Sequence, residues 1–256
     1  EDIFSGVDTV IHNAGVFDLT ASPELLNSVN ILGSRKIAAA ATRAGVKHFI
    51  QVSSTSVYGS HTVPIMEDVE PKKPVHTYGR SKWLGEVVSR QVCATANLAW
   101  SAVRPTLVYG PRSRYGLAPF FAMLERLNES GRRQLLPSGG PHVHTVHVDD
   151  VARAVWHISR ERHTGPFNVS DDSPISFGQL LAFMAKALSM EVRSVPLPWK
   201  LIKPLVRPSL VRPILKKLES AVRTQHTQRL SEAALDIRLD EDWCYFLASD
   251  YVFSNE

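Results

Sequence analysis

A tyrosine and a lysine stand four residues apart in Tyr78-Gly79-Arg80-Ser81-Lys82. On a helix that spacing puts both side chains on one face, one turn apart. An ammonium beside a phenol favours the phenolate and lowers its pKa from about 10 towards the range useful to a general acid/base. The same spacing also arises on an ordinary amphipathic helix with a solvated lysine and a half-buried tyrosine. Four consecutive hydroxyls, Ser53-Ser54-Thr55-Ser56, follow the short apolar run that begins at Lys47. Such a run reads as a buried strand, and open parallel sheets place their ligands at the C-terminal ends of their strands. A hydroxyl there could hold a carbonyl or alcohol oxygen while the tyrosine gives or takes its proton. Turn chemistry explains one or two such hydroxyls better than it explains four.

Other groups point to less. His142-x-His144-x-x-His147 places two of three histidines on one strand face, with no cysteine or carboxylate cluster ahead of Asp149. The expectation is therefore no metal, and a loop feeding a strand edge with His144 as a substrate contact. Cys93 and Cys244 are the only cysteines. A disulfide framework and a zinc finger are out of reach, and a reducing, cytoplasmic setting is expected. Residues 199–218 are apolar and basic, with six Lys/Arg and one acid between Trp199 and Glu219. They could rest on an anionic membrane surface or cap an apolar pocket, with Pro204, Pro208 and Pro213 breaking any single helix.

These groups need a scaffold, and the patterning supplies an alternating one. A strand is expected over residues 7–12, then a helix entered by Ser22 as N-cap and Pro23 and stopped near Ala44-Gly45. A strand at 47–53, a helix at 77–96 and a strand at 100–104 bounded by Pro105 continue the series. Alternation at this spacing argues for crossover units and a doubly wound α/β chain with a parallel sheet. Helices at 117–131 and 149–160 (capped by Asp149 or Asp150), a strand at 167–169 and a helix at 176–188 follow less regularly. The expected division is a dinucleotide-binding core, 1–110 with 143–170, and a smaller C-terminal substrate lobe, 111–142 with 171–256.

Composition agrees. The chain has 256 residues, 44% hydrophobic and 21% charged, which excludes disorder, collagen and coiled coil. The excess of 29 Lys+Arg over 25 Asp+Glu is too small to argue for nucleic acid, and none is expected as a partner. No apolar run reaches the ~20 residues of a membrane span.

Three segments in order, Val52-Ser53-Ser54-Thr55-Ser56-Val57-Tyr58-Gly59, Tyr78-Gly79-Arg80-Ser81-Lys82 and Arg104-Pro105-Thr106-Leu107-Val108-Tyr109-Gly110-Pro111, resemble the extended short-chain dehydrogenase/reductases. That superfamily includes the NAD-dependent epimerase/dehydratases and the 3β-hydroxysteroid dehydrogenase/isomerases. Val7-Asp8-Thr9-Val10-Ile11-His12-Asn13-Ala14-Gly15, Asn30-Ile31-Leu32-Gly33-Ser34 and His147-Val148-Asp149-Asp150-Val151-Ala152 add three more matches.

The resemblance implies a Rossmann-like fold and assigns roles. Tyr78 would be the general acid/base, Lys82 would lower its pKa and hold the nicotinamide ribose, and Ser54 would orient the substrate oxygen, with Ser56 as rival. Asn30 would organise the site. Asn13, Ala14, Gly15, Val52, Ser53, Arg104, Pro105 and Thr106 would line the cofactor, NAD or NADP, together with Tyr78 and Lys82. The family's Gly-x-x-Gly-x-x-Gly turn is nowhere in the sequence. The expectation is that the chain is cut at its N-terminus, with the first strands missing, and at its C-terminus, and binds cofactor poorly as it stands. The implied activity is oxidoreduction of a secondary alcohol and ketone on a hydrophobic, steroid-like small molecule. Sugar-nucleotide epimerase/dehydratase chemistry is the alternative, and a non-catalytic nucleotide-binding regulator a further one. Relatives often dimerise through the helices that correspond to residues 22–44 and 77–96, so a homodimer is a further expectation.

Overall fold

Four of the five residues in His48–Val52 are buried, a pattern that only a sheet covered on both faces can satisfy. The computed structural model describes residues 3–17, 21–59, 64–71, 74, 76–113, 116–129, 131, 133–202, 250, 252 and 253. In chain order the elements begin with β1 (Thr9–His12), α1 (Pro23–Leu26), a π turn (Asn27–Gly33), α2 (Ser34–Arg43) and β2 (His48–Val52). Next come a 3-10 turn (Thr55–Val57), α3 (Thr77–Thr95), β3 (Ala99–Pro105), β4 (Leu107–Tyr109) and α4 (Ala118–Glu129). The rest are β5 (Gln134–Ser138), β6 (His142–Val143), β7 (Thr145–His147), α5 (Val148–Glu161), β8 (Gly165–Val169), β9 (Ile175–Ser176), α6 (Phe177–Ala187), β10 (Val192–Pro196) and α7 (Trp199–Ile202).

The described residues divide into two units, the first within 1–106 and 146–170 with Phe253, the second within 107–145 and 171–252. In the first unit β1, β2, β3 and β8 form one parallel sheet in that order. Successive strand residues point to opposite faces. Phe49, Trp100 and Ala102 therefore pack on one side with Ala38, Ala41 and Cys93 of α2 and α3. Ile50 and Val103 pack on the other with Val155 and Ile158 of α5. Helices on both faces of a parallel sheet make this a doubly wound, Rossmann-like fold. Cys93 is sealed in the first of these layers, and burial pushes its thiol up to about 12.

The second unit has its own core, in which Leu117, Phe120 and Leu124 of the α4 region meet Leu180, Leu181 and Met184 of α6. A parallel pair, β5 with β10, and an antiparallel pair, β6 with β9, complete it. Ser176 caps α6 in a reciprocal capping box with Gln179.

Two local features differ from the sequence-based expectation. The helix expected to run unbroken from Ser22 to Ala44 is interrupted by the π turn, at whose centre Asn30 is buried. Such a turn carries an extra residue and marks functional sites often enough to draw notice. Helix α5 is capped by neither Asp149 nor Asp150. His147 Nδ1 accepts from Asp149 N–H, and both acids lie in the first turn, where the dipole favours them. Among the described residues no helix is long and apolar enough to cross a membrane. Of the basic stretch 199–218, all but Trp199–Ile202 lies outside the described residues, as does Cys244.

Helix α3 lies against the π turn at a spot where only glycine fits. A Cβ built on Gly85 would stand 2.6 Å from the Asn30 carbonyl oxygen and 3.3 Å from Ser34 Oγ. Glycine is ordinarily worse than alanine inside a helix by about 1 kcal/mol. Here Gly85→Ala should destabilise instead, by about 1–3 kcal/mol from the forced separation of two backbones, read as a lower urea midpoint. A raised midpoint would show that the two helices can part without cost.

Candidate active site

The residues expected to do chemistry gather at the C-terminal ends of β1, β2 and β3, within the first unit. Ser54 has extended backbone, caps the 3-10 turn and accepts the Ser56 N–H at 3.2 Å. It also donates to Ser56 Oγ at 3.1 Å. Its hydroxyl stands close enough to Tyr78, on α3, to favour the phenolate. That contact favours Ser54 over Ser56 as the partner of the tyrosine.

Helix α3 reaches this position by backbone contact. A Cβ on Gly79 would fall 2.4 Å from the Ser56 carbonyl oxygen, so the residue after Tyr78 has to be glycine for the helix to sit this close. His76 caps the helix, its Nδ1 accepting the Gly79 N–H at 2.9 Å. Accepting at Nδ1 requires the neutral ring, and burial agrees, lowering the His76 pKa to about 4. The His76 ring stacks on Tyr78 at 6.0 Å between centroids, and Phe17 meets the same ring edge-on at 4.9 Å.

Lys82, one turn along, is 7% exposed. Its Nζ donates to the Val52 carbonyl at 2.7 Å. Burial brings its pKa down to about 8 against an opposing pull from Glu86. Burial raises the Tyr78 pKa well above the usual phenol range, and the neighbouring Ser54 hydroxyl opposes this. Tyr78 therefore holds its proton firmly as the site stands.

Asn30 ties the cluster together. Its Oδ1 accepts the Val16 N–H at 2.8 Å, while Nδ2 donates to the Val16 carbonyl at 3.0 Å and to Ser81 Oγ at 2.9 Å. Ser81 Oγ in turn donates to the Tyr78 carbonyl at 2.7 Å. One side chain thus holds the strand-end loop and the tyrosine's helix at once. The Asn30 carbonyl accepts from Ser34 Oγ at 2.7 Å, leaving Ser34 to accept from His12 Nε2 at 3.1 Å and Gln51 Nε2 at 3.3 Å. The single serine hydrogen is committed, so His12 must carry its proton on Nε2. Burial and the Lys82 charge lower the His12 pKa to about 4.

The residues expected to line a cofactor separate into two groups. Asn13, Ala14 and Gly15 are exposed at the end of β1, and a Cβ on Gly15 would lie 3.2 Å from Asn30 Oδ1 and 3.6 Å from Lys82 Nζ. That shelf suits close approach by a ligand. Ser53 donates its N–H to the Val103 carbonyl at 2.7 Å, and its buried Oγ has no partner among the described residues. An orphaned hydroxyl beside a bare shelf and an ammonium fits the ribose-nicotinamide part of a dinucleotide. The pyrophosphate turn is not in the sequence. The Arg104 side chain is occupied by Glu86 and Tyr58. Its Nε and Nη2 donate to Glu86 at 3.1 and 2.6 Å, and Nη1 donates to Tyr58 OH at 2.7 Å. Tyr58 OH passes a hydrogen bond to Asn168 Oδ1 at 2.8 Å. Pro105 accepts from Thr55 Oγ1, and Thr106 N–H and Oγ1 both donate to the Val169 carbonyl.

His76, Phe17, Glu86 and Tyr58 are the contributors that sequence reasoning missed. Glu86 alone left a signal, eight residues after Tyr78 on the same face. His142, His144 and His147 do not converge. His142 N–H binds Asp250, His147 caps α5, and burial lowers the His144 pKa against Asp171. The second unit holds a separate cleft of about 670 Å³, lined by Leu117, Phe121, Ile175, Leu180, Phe183 and Met184, with Arg112 and Glu125 among its polar residues.

The NAD dependent epimerase/dehydratase family model matches residues 1–170. The chain is 27% identical over 206 residues to the N-acetyl-alpha-D-glucosaminyl-diphospho-ditrans,octacis-undecaprenol 4-epimerase of Escherichia coli O157:H7, covering 78% of this chain and 61% of that one. It is 27% identical over 211 residues to the decarboxylating sterol-4-alpha-carboxylate 3-dehydrogenase of Bos taurus, covering 76% and 56%. The solved structure of MoeE5 in complex with UDP-glucuronic acid and NAD matches with a TM-score of 0.62 and 26% identity, over 75% of this chain and 67% of that one. The chain thus spans about three fifths of the length of the curated relatives it matches.

Buried His12 and half-buried His76 give a signed pH dependence. Each has a folded pKa near 4, below the usual 6.5, so the unfolded chain binds the extra protons. Their contribution is intact above about pH 6.5 and is lost as pH falls towards 4, on the order of 2–3 kcal/mol for a fully buried ring. Urea midpoints across that window should fall, and His76→Asn, which keeps a capping oxygen, should flatten part of the slope. Identical slopes in the variant and the parent would remove His76 from this account.

Proposed function

The chain belongs to the NAD-dependent epimerase/dehydratase family, and from that premise we propose that it serves NAD-dependent oxidoreduction of a secondary alcohol and a ketone on a substrate with an apolar body. The observation that carries the reading is the contact between Tyr78 and Ser54 beside a buried, cationic Lys82. Asn13, Ala14, Gly15, Ser53, Tyr78 and Lys82 would hold the cofactor, whose nicotinamide supplies the hydride acceptor or donor. Support for NAD comes from the solved relative that holds it.

Ser54 fixes the substrate oxygen against the tyrosine. In reduction Tyr78, protonated at neutral pH, gives that oxygen its proton, and the charge of Lys82 offsets the burial that would otherwise make the phenol a weaker acid. In oxidation the phenol must first lose its proton, and the buried charge of Lys82 is the group positioned to stabilise the phenolate. Phe17 and His76 shield the ring from water.

The apolar cleft of the second unit supports an apolar substrate, as do two relatives whose names print an undecaprenol and a sterol carboxylate. A second reading, sugar-nucleotide epimerase or dehydratase, is favoured by the epimerase match and by the UDP-glucuronic acid complex. Exposed Leu25 of α1, Leu32 of the π turn and Val87 of α3 support a homodimer.

In the whole protein that carries this chain, Tyr78→Phe should cut NAD reduction by an apolar secondary alcohol at least ~100-fold, the usual worth of general acid/base help. Near-parental turnover would take Tyr78 out of the mechanism. Turnover of nucleotide sugars with none of sterol or polyprenol-linked alcohols would replace the substrate class with the second reading.

A further inference from the structure

Glu86, Arg104 and Lys82 are 3%, 5% and 7% exposed, so two cations and one carboxylate share a dry interior. Desolvation works against each charge. Arg104 keeps its own by a two-pronged bond to Glu86, at 3.1 and 2.6 Å, and by the bond to Tyr58. Lys82 has no such partner; its Nζ meets a neutral carbonyl, that of Val52. The nearest anion is Glu86, one helical turn along α3 on the same face.

The charged and titratable groups facing the ammonium come from three elements. His12 of β1 is neutral and donates from Nε2 to Ser34. Tyr78 and Glu86 come from α3 itself, and Arg104 of β3 stands behind Glu86. Of these groups, drawn from the described residues, every one except Glu86 is either neutral or positive. The fork of Arg104 also orients the carboxylate in a fixed plane, and the chain Arg104–Tyr58–Asn168 anchors that fork.

We propose that Glu86 is a positioning residue for the chemistry of Tyr78, its carboxylate fixed by the Arg104 fork one helical turn from Lys82 so that the buried ammonium keeps its charge. The pair would otherwise be a tie between α3 and β3 that could sit on any turn. Its place one turn from Lys82 makes it a source of negative potential where one is needed. The inference rests on the reading of Lys82 as the charge beside Tyr78. It does not require turnover to be seen.

The test is a titration of Lys82 by NMR of lysine labelled at 13Cε, the resonance being assigned by its loss in Lys82→Arg. The midpoint starts near 8 in the parent chain. In Glu86→Gln it should fall by about one pH unit, as expected for removal of a nearby opposite charge. Tyr58→Phe removes a bond to Arg104 but keeps the carboxylate; it should lower the urea midpoint and leave the Lys82 titration where it was. Should Glu86→Gln not fold, Glu86→Asp, which draws the carboxylate back along α3, should lower the Lys82 midpoint by a smaller amount. An unmoved midpoint in a folded Glu86 variant overturns the proposal. A lowered midpoint together with full turnover in Tyr78→Phe would leave Glu86 as the group that keeps Lys82 charged, but would overturn both its service to Tyr78 and the redox reading.

Discussion

Helix α3 lies where it does because two of its backbone positions touch other backbone directly. Gly79 rests on the Ser56 carbonyl and Gly85 on the Asn30 carbonyl, each closer than any side chain would allow. Everything chemical in the first unit follows from that proximity. It brings Tyr78 within reach of Ser54, lowers the Lys82 ammonium to the Val52 carbonyl, and lets Asn30 clasp Ser81. Contacts between main-chain atoms tolerate little adjustment, because neither side can change rotamer. The site is thus built on the stiffest parts available.

The same closeness creates an electrostatic problem. Drawing α3 onto the sheet strips water from a lysine, an arginine, a glutamate and two histidines. The histidines answer by remaining neutral, each with a tautomer set by one hydrogen bond. Arg104 and Glu86 answer by pairing. Tyr78 answers by keeping its proton. A protonated phenol flanked by aromatic rings and close to a serine is what burial yields without further intervention. Turning the same phenol into a base needs a positive charge nearby, which is the part Lys82 is placed to supply.

Much of this was legible in the sequence, and the omissions have physical reasons. Strands such as His48–Val52 and long helices such as Thr77–Thr95 announce themselves through local periodicity. The Tyr78 and Lys82 pair was readable because helical spacing alone puts the two on one face. The direction of the tyrosine's pKa was not readable, because the rings that bury it, Phe17 and His76, approach from segments with no periodic relation to it. The pairing of Arg104 with Glu86 was not readable for a like reason: the two lie 18 residues apart on different elements. The short strands β5 and β10 of the second unit escaped notice because each is half exposed and carries proline.

The π turn at Asn27–Gly33 has a consequence for how this region tolerates change in length. Its wider coil accommodates one more residue than an α-helical path between the same two ends. Removing any one residue from it would let the coil tighten and carry the downstream helix round its axis. The amide of Asn30 would then swing away from Val16 and Ser81 even though its identity was untouched. Single-residue deletions here should therefore be as damaging as loss of the asparagine, whereas most side-chain replacements on the outer surface of the same coil would pass unnoticed.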